Sequence, residues 1–292
     1  MKYNSGSSFR QALEKHILDH HHQTSIPIQR TRKLIVFERL IARLVQTDPQ
    51  DWVLKGGFMM DLYFNEKSRT TKDLDLLYQN KKKDLQKQLI NAGEMDLGDW
   101  FTFKISQPIF ADKEIPGTSR FNIGAMLDSR PFETFHIDVN TKDILFEEPQ
   151  PLLVSRFLSF AGVKPIKVLC YSLTQQISEK FHALTRNYQS GEVSRVKDLI
   201  DVLLIASQRS FASSALRESI KLTFEHRAAH PIPLSTPKIA NIYSKDYSRL
   251  SAQIGLLQKS LNEGNLALEH FLLPVINSTS NQRWNPDTWK WE

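Results

Sequence analysis

The sequence predicts an α/β fold of the α+β kind, a sheet and helices followed by a helical C-terminal domain, on three observations. Residues 52–78, WVLKGGFMMDLYFNEKSRTTKDLDLLY, read as strand, glycine turn, helix and strand in immediate succession. Residues 100–139 hold segments in which apolar and polar residues alternate with the period of a half-buried strand. Past Pro149 and Pro151 the apolar spacing becomes that of helices.

Size and composition suit such a chain. Its 292 residues are enough for two joined domains, set here at 1–148 and 149–292. With 40% hydrophobic and 24% charged residues it can bury a large core, which excludes wholesale disorder. The single cysteine, Cys170, excludes an internal disulfide and lies in an apolar run with Val168 and Leu169, where packing is its expected role. Residues 1–8 are polar and lack the apolar heart of a signal peptide, and no later run approaches the ~18 apolar residues of a membrane span, so the expected location is the cytoplasm. A net charge of +6 favours a polyanionic partner. The basic concentrations at Arg30, Arg32 and Lys33, at Lys81 to Lys83, and at Lys164 with Lys167 read singly as solvated faces and together fit RNA better than a membrane.

Taken in order, Phe9, Leu13, Ile17 and Leu18 form a helical stripe over 8–22 that closes on His20, His21 and His22. Three adjacent histidines fan around a helix axis instead of converging on a metal, so they mark a polar helix end. After Pro27, Leu34, Phe37, Leu40, Ile41 and Leu44 predict a second helix over 29–46. Trp52, Val53 and Leu54 make a short strand, and Phe58, Met59, Leu62 and Tyr63 follow at helical spacing. A short helix through Leu85, Leu89 and Ile90 ends near Gly93, and strands follow over 100–105, 119–127 and 132–139. Paired prolines in 147–151 mark the domain boundary. Helices are predicted over 173–186 and 195–206, and one or two over 250–271, with Phe224, His226 and His230 in a loop around Pro231 and Pro233. Trp284, Trp289 and Trp291 sit in a polar tail, where docking on the helical domain is the default and stacking on bases or a partner the alternative.

The chemistry concentrates in 52–78. Lys55, Gly56 and Gly57 place a flexible turn directly before a helix, whose N-terminal amides suit phosphate oxygens. In Asp73-Leu74-Asp75-Leu76 the strand period sends both carboxylates to one face and both leucines to the core. Two carboxylates on one face suit Mg²⁺, which takes one or two protein acids and completes its shell with water and substrate phosphates; the alternative is an exposed strand with two solvated acids. In residues 135–139 the same period puts Asp138 and His136 on the face opposite Phe135, Ile137 and Val139, so that Asp138 can join Asp73 and Asp75, with His136 a hydrogen-bonded neighbour. Farther on, Lys180 flanks the apolar stripe of Ile177, Phe181 and Leu184, and Asp198 shares a helical line with Val202 and Ile205, which calls for a partner such as Arg195 or Lys180.

These segments carry a resemblance. Lys55-Gly56-Gly57 followed by Arg69-Thr70-Thr71-Lys72-Asp73-Leu74-Asp75-Leu76, then Glu179-Lys180-Phe181-His182-Ala183, then Arg195-Val196-Lys197-Asp198-Leu199-Ile200-Asp201, resembles in type, order and separation the AbiEii/AbiGii family of nucleotidyltransferase toxins, within the DNA polymerase beta-like superfamily. Phe58 stands where that family often has a small or hydroxylated residue. The resemblance implies a nucleotidyltransferase-like mixed sheet with flanking helices and a third metal ligand or general base at Asp138, and it carries active-site roles to Lys180 and Asp198. Metal ligands would be Asp73, Asp75 and Asp138, and nucleotide contacts Lys55, Gly56, Gly57, Arg69, Lys180 and Arg195, with NTP held between the two domains.

The function implied is that of a Mg²⁺-dependent toxin with a cognate antitoxin, transferring NMP from NTP to RNA, foremost the 3′ acceptor end of tRNA, and so stopping translation. Protein nucleotidylation, for example of the antitoxin, and a non-catalytic RNA-binding module are the rival readings.

Overall fold

The computed structural model describes residues 1–110, 117–154, 157–186 and 194–292, which divide into two compact units. The first comprises Met1–Tyr63, Thr70–Ile144 and Pro149–Cys170. It begins with α1 (Gly6–Thr24), started by the Ser5 side chain, which accepts from the Ser8 amide, and ended by Ser25 in the left-handed region. Phe9, Leu13 and Ile17 are its buried stripe, and His21 and His22 fall in its last turn. Pro27 precedes α2 (Ile28–Thr47), which is buried along most of its length. Then come β1 (Trp52–Lys55), α3 (Gly56–Phe64), β2 (Asp73–Tyr78) and α4 (Leu85–Glu94). In α3 the buried residues include Phe58, Met59 and Met60, whereas Leu62 and Tyr63 are half-buried.

The strands that follow are β3 (Phe101–Ile105), β4 (Ile109–Phe110), β5 (Thr118–Leu127), β6 (Arg130–Asn140), β7 (Gln150–Val154) and β8 (Ile166–Cys170). The described residues form one eight-stranded sheet, ordered β3-β5-β6-β2-β1-β8-β7 with β4 on the side of β5. It is mixed: β2 runs parallel to β6 and β1 parallel to β8, while β1 and β2 are antiparallel. Asp128 and Ser129, both at positive φ (53° and 59°), make the tight turn whose twist matches the β5–β6 hairpin. Leu74, Leu76, Phe135, Ile137 and Val139 are buried, and Phe37 of α2 packs on Phe135 with ring centroids 5.0 Å apart. Trp100, at φ 57°, delays the start of β3 by one residue from the expected position.

The structure corrects the expected change to helices at residue 149. The chain adds β7 and β8 to the sheet first, and the helical unit takes over at Tyr171. Pro151 is tolerated because β7 is the edge strand and pairs with β8 alone, so the missing amide breaks no second ladder. Cys170, at the end of β8, is fully buried, and burial pushes its thiol pKa up, in keeping with a packing role.

The second unit comprises Phe64–Arg69, Leu145–Glu148 and Tyr171–Glu292. Its helices are α5 (Leu173–Thr185), α6 (Val196–Gln208), α7 (Ser213–Arg227), α8 (Ser244–Ile254) and α9 (Leu261–Asn277), followed by a ribbon of β9 (Trp284–Asn285) and β10 (Lys290–Trp291). Helix α7 replaces part of the loop expected around Phe224 and His226; its stripe of Leu216, Ile220 and Phe224 is narrow and flanked by charge, which hid it in the sequence. The tryptophan tail docks. Trp284 is fully buried, donates from Nε1 to the Ala206 carbonyl at 2.7 Å, and meets Phe271 and Trp291. No described helix is long and apolar enough to cross a membrane.

Candidate active site

Register decides which side chains meet on the sheet. Asp73 pairs with His136 and Asp75 with Asp138 across β2 and β6, and Asn122 and Arg120 of β5 continue those two rows. Because opposed residues share a face, Asp75-Asp138-Arg120 and Asp73-His136-Asn122 form two adjacent polar rows, with their apolar neighbours turned into the core. The three predicted aspartates are thus brought onto one face.

Their partners differ. His136 Nδ1 lies 3.3 Å from Asp73 Oδ1, the neighbourly role expected of it. Asp138 is held by Arg120, whose Nε and Nη2 donate to Oδ1 and Oδ2 at 2.7 and 2.6 Å. The hydrogen bonds that Arg120 donates to Asp138 and the negative charges of Asp138, Asp73 and Asp75 outweigh burial and raise the Arg120 pKa further above its ordinary value. Asp73 and Asp75 offer the paired carboxylates that a hard divalent cation takes from a protein. Among the described residues no group of three or more acids, histidines or cysteines is arranged to hold a metal ion, and the third carboxylate lies in the guanidinium fork of Arg120.

The glycine turn lies against this pair. Lys55 is opposite Asp75 in the β1–β2 ladder, and the next residue, Gly56, has φ +67°. A Cβ on Gly56 would overlap Asp75 Oδ2, so hydrogen is the side chain that leaves room for the carboxylate. A Cβ on Gly57 would come within 2.5 Å of Thr71 Oγ1. Together the two glycines let the start of α3 sit directly against β2. Lys55 itself bridges to the buried Asp143, Nζ to Oδ2 at 2.6 Å. Its charge is therefore already matched in the structure.

The second unit gathers Lys180 and Arg69 around Asp201, a residue with no role expected from the sequence, and Lys180 and Arg195 beside Asp198. Asp201 is fully buried; it accepts from Arg69 Nε and Nη2 at 2.9 and 2.7 Å and lies 2.6 Å from Lys180 Nζ. Lys180 also donates to Asp198 Oδ1 at 3.1 Å, and Arg195 Nη1 stands 3.5 Å from Asp198 Oδ2, so both partners foreseen for Asp198 are present. Lys180, expected at the edge of the apolar stripe, is buried. Burial pushes its pKa down, but the charges of Asp201 and Asp198 outweigh that and hold it above the ordinary lysine value. For Asp201 burial acts upward and is overcome by Lys180 and Arg69, which keep it below the usual carboxylate range. An acid inside Leu199-Ile200-Asp201-Val202-Leu203 was the available signal, since an acid surrounded by apolar residues must find cations. Arg120, by contrast, carries no such signal in the sequence, being one charge among the polar residues of a strand.

The family model described as nucleotidyl transferase AbiEii toxin, type IV toxin–antitoxin system, matches residues 39–284, and the chain belongs to that family. Among solved structures, the nucleotidyltransferase toxin MenT4 from Mycobacterium tuberculosis H37Rv is similar at a TM-score of 0.52 and 14% identity, over 73% of this chain and 69% of that one. JHP933 from Helicobacter pylori is similar at a TM-score of 0.44 and 17% identity, over 80% and 87% of the two chains. The antibiotic-resistance factor ANT(2'')-Ia matches at 0.39 and 15%, over 68% and 95%. No curated protein matches by sequence. Membership makes the chain a nucleotidyltransferase enzyme and implies a nucleoside triphosphate substrate and a cognate antitoxin.

Proposed function

We propose that the enzyme transfers NMP from NTP to the 3′ acceptor end of tRNA in a Mg²⁺-dependent reaction in the cytoplasm, blocking translation until its antitoxin intervenes. The observation that carries this is the fit of Gly56 to Asp75, which sets the N-terminus of a helix beside a strand carboxylate. Amides at a helix start attract phosphate oxygens, and a carboxylate next to them suits the cation that accompanies a triphosphate.

Asp73 and Asp75 would hold the ion, which when bound screens phosphate charge and polarises the α-phosphorus. The amides of Gly56 and Gly57 receive triphosphate oxygens. Asp138, once released by Arg120, takes the proton of the incoming hydroxyl on a carboxylate oxygen. In the helical unit, Arg69 is held rigidly by Asp201 and Lys180 by Asp198 and Asp201, with Arg195 steadying Asp198, which fixes positive charge there for an anionic ligand. The net charge of +6 supports a polyanionic acceptor.

Label transfer from each α-labelled NTP to total tRNA or to protein, with Mg²⁺, tests the reading. Label at RNA ends, lost in Asp75→Asn while the fold is kept, is the expected result. Label on protein alone would replace the acceptor, and retained transfer by Asp75→Asn would overturn the metal assignment.

A further inference from the structure

Beside Asp73 the first unit opens into a hollow of about 640 Å³, lined among others by Lys33, Lys72, Arg120, Asn122, Thr134 and His136. The trio of basic residues noticed in α2 sorts itself here. Arg30 is tied to Asp61 at 3.0 Å and Arg32 to Glu14 at 2.7 Å, both within the protein. Lys33 faces the hollow instead, and neither Lys33 nor Lys72 forms an ion pair among the described residues. The hollow therefore holds two uncommitted ammonium groups, a guanidinium shared with Asp138, an imidazole and two neutral polar side chains.

We infer that this hollow is the acceptor subsite and that it binds the phosphodiester backbone of a single polynucleotide strand. The inference rests on the transfer reading above and goes further in assigning where the acceptor's backbone is held and which side chains hold it. Sheet order supplies the direction. The glycine turn lies on the β1 side of β2, and the hollow on the β6 and β5 side, with Asp73 on its wall. In phosphoryl transfer the attacking and leaving oxygens lie roughly in line. A triphosphate seated on the Gly56 turn thus sends pyrophosphate toward β1 and is approached by the acceptor hydroxyl from β6.

Charge then selects the acceptor. Loose ammonium groups on flexible stems suit successive phosphates of a strand, which need positive charge more than fixed geometry. A protein hydroxyl would give them nothing to neutralise. Arg120 is placed for both ligands: its fork closes on Asp138 here, and a strand phosphate in the hollow competes for the same donors.

The test is anisotropy of a 5′-fluorescein single-stranded oligoribonucleotide, titrated in EDTA without NTP so that no turnover enters. The Lys33→Gln/Lys72→Gln double variant is expected to bind about tenfold more weakly, with a salt dependence shallower by about one to two counterions. Lys164→Gln/Lys167→Gln, removing the same charge elsewhere, is expected to change little, and NTP binding by the hollow variant to stay intact. Equal weakening by both pairs, or a native chain that ignores the oligonucleotide, overturns the inference. Loss of NTP binding with unchanged RNA binding reassigns the hollow to the triphosphate and overturns it too. Asp75→Asn is expected to keep oligonucleotide binding, so failure of the transfer reading and failure of the subsite are read separately.

Discussion

Gly56 and Asp75 compete for one volume: the carboxylate of Asp75 occupies the place where any other residue at 56 would put its Cβ. A strand acid and a helix start can approach this closely only because one residue has no side chain. The φ of +67° makes the same demand on the backbone.

Gly56→Ala should therefore lose both stability and transfer. Left-handed strain and overpacking each cost roughly 1–3 kcal/mol. Urea unfolding together with label transfer measures both, and a variant as stable and active as the native chain would show that the turn is not tight.

Asp201 should matter more to the fold than Asp198. Asp201→Asn leaves Lys180 and Arg69 buried with their shared counter-charge removed, a loss of about 3 kcal/mol or more. Asp198 retains 17% side-chain exposure, and Asp198→Asn should cost nearer 1 kcal/mol. Denaturant midpoints of the two variants decide, and the reverse order would refute the network as drawn.

His182 should give the helical unit an acid limb. Its Nε2 is buried without a hydrogen-bond partner among the described residues, and its ring lies 4.6 Å from that of His230. Burial, reinforced by the charges of His230, Arg227 and Arg186, lowers its pKa from 6.5 to about 4. Between those values the unfolded chain takes up a proton that the folded one refuses, so stability falls as pH falls, by up to about 3 kcal/mol. His182→Phe should flatten the dependence of unfolding free energy on pH in that window; parallel curves for variant and native chain would assign the limb elsewhere.

Trp284 should behave as a core residue despite its polar surroundings in sequence. Trp284→Ala removes a fully buried indole and its bond to Ala206 and should cost about 3–5 kcal/mol, read by thermal unfolding. Oligonucleotide binding by folded variant protein should be unchanged, since the ring is committed to Phe271 and Trp291.

Local periodicity was enough to find β1, α3 and β2, the common face of Asp73 and Asp75, and the helices bearing Lys180 and Asp198, because each depends on residues close in the chain. Two errors were also local. Pro151 read as a terminator because the sequence does not say that β7 lies at an edge, and α7 was missed because its apolar stripe is narrow.

The sequence by itself determined an α/β domain with a helical unit, a glycine turn, a pair of acids on one strand face, and a basic balance; these follow from side-chain period, backbone freedom and net charge. Only the tertiary structure decided that Arg120 grips Asp138, that Asp201 gathers Arg69 and Lys180, that Gly56 makes room for Asp75, and that Lys33 turns toward a hollow while Arg30 and Arg32 are paired. The partners in these contacts lie between 18 and 132 residues apart, or are chosen by packing among several equivalent cations, and no local pattern encodes which charges meet across such distances. Strand register and helix packing make that choice.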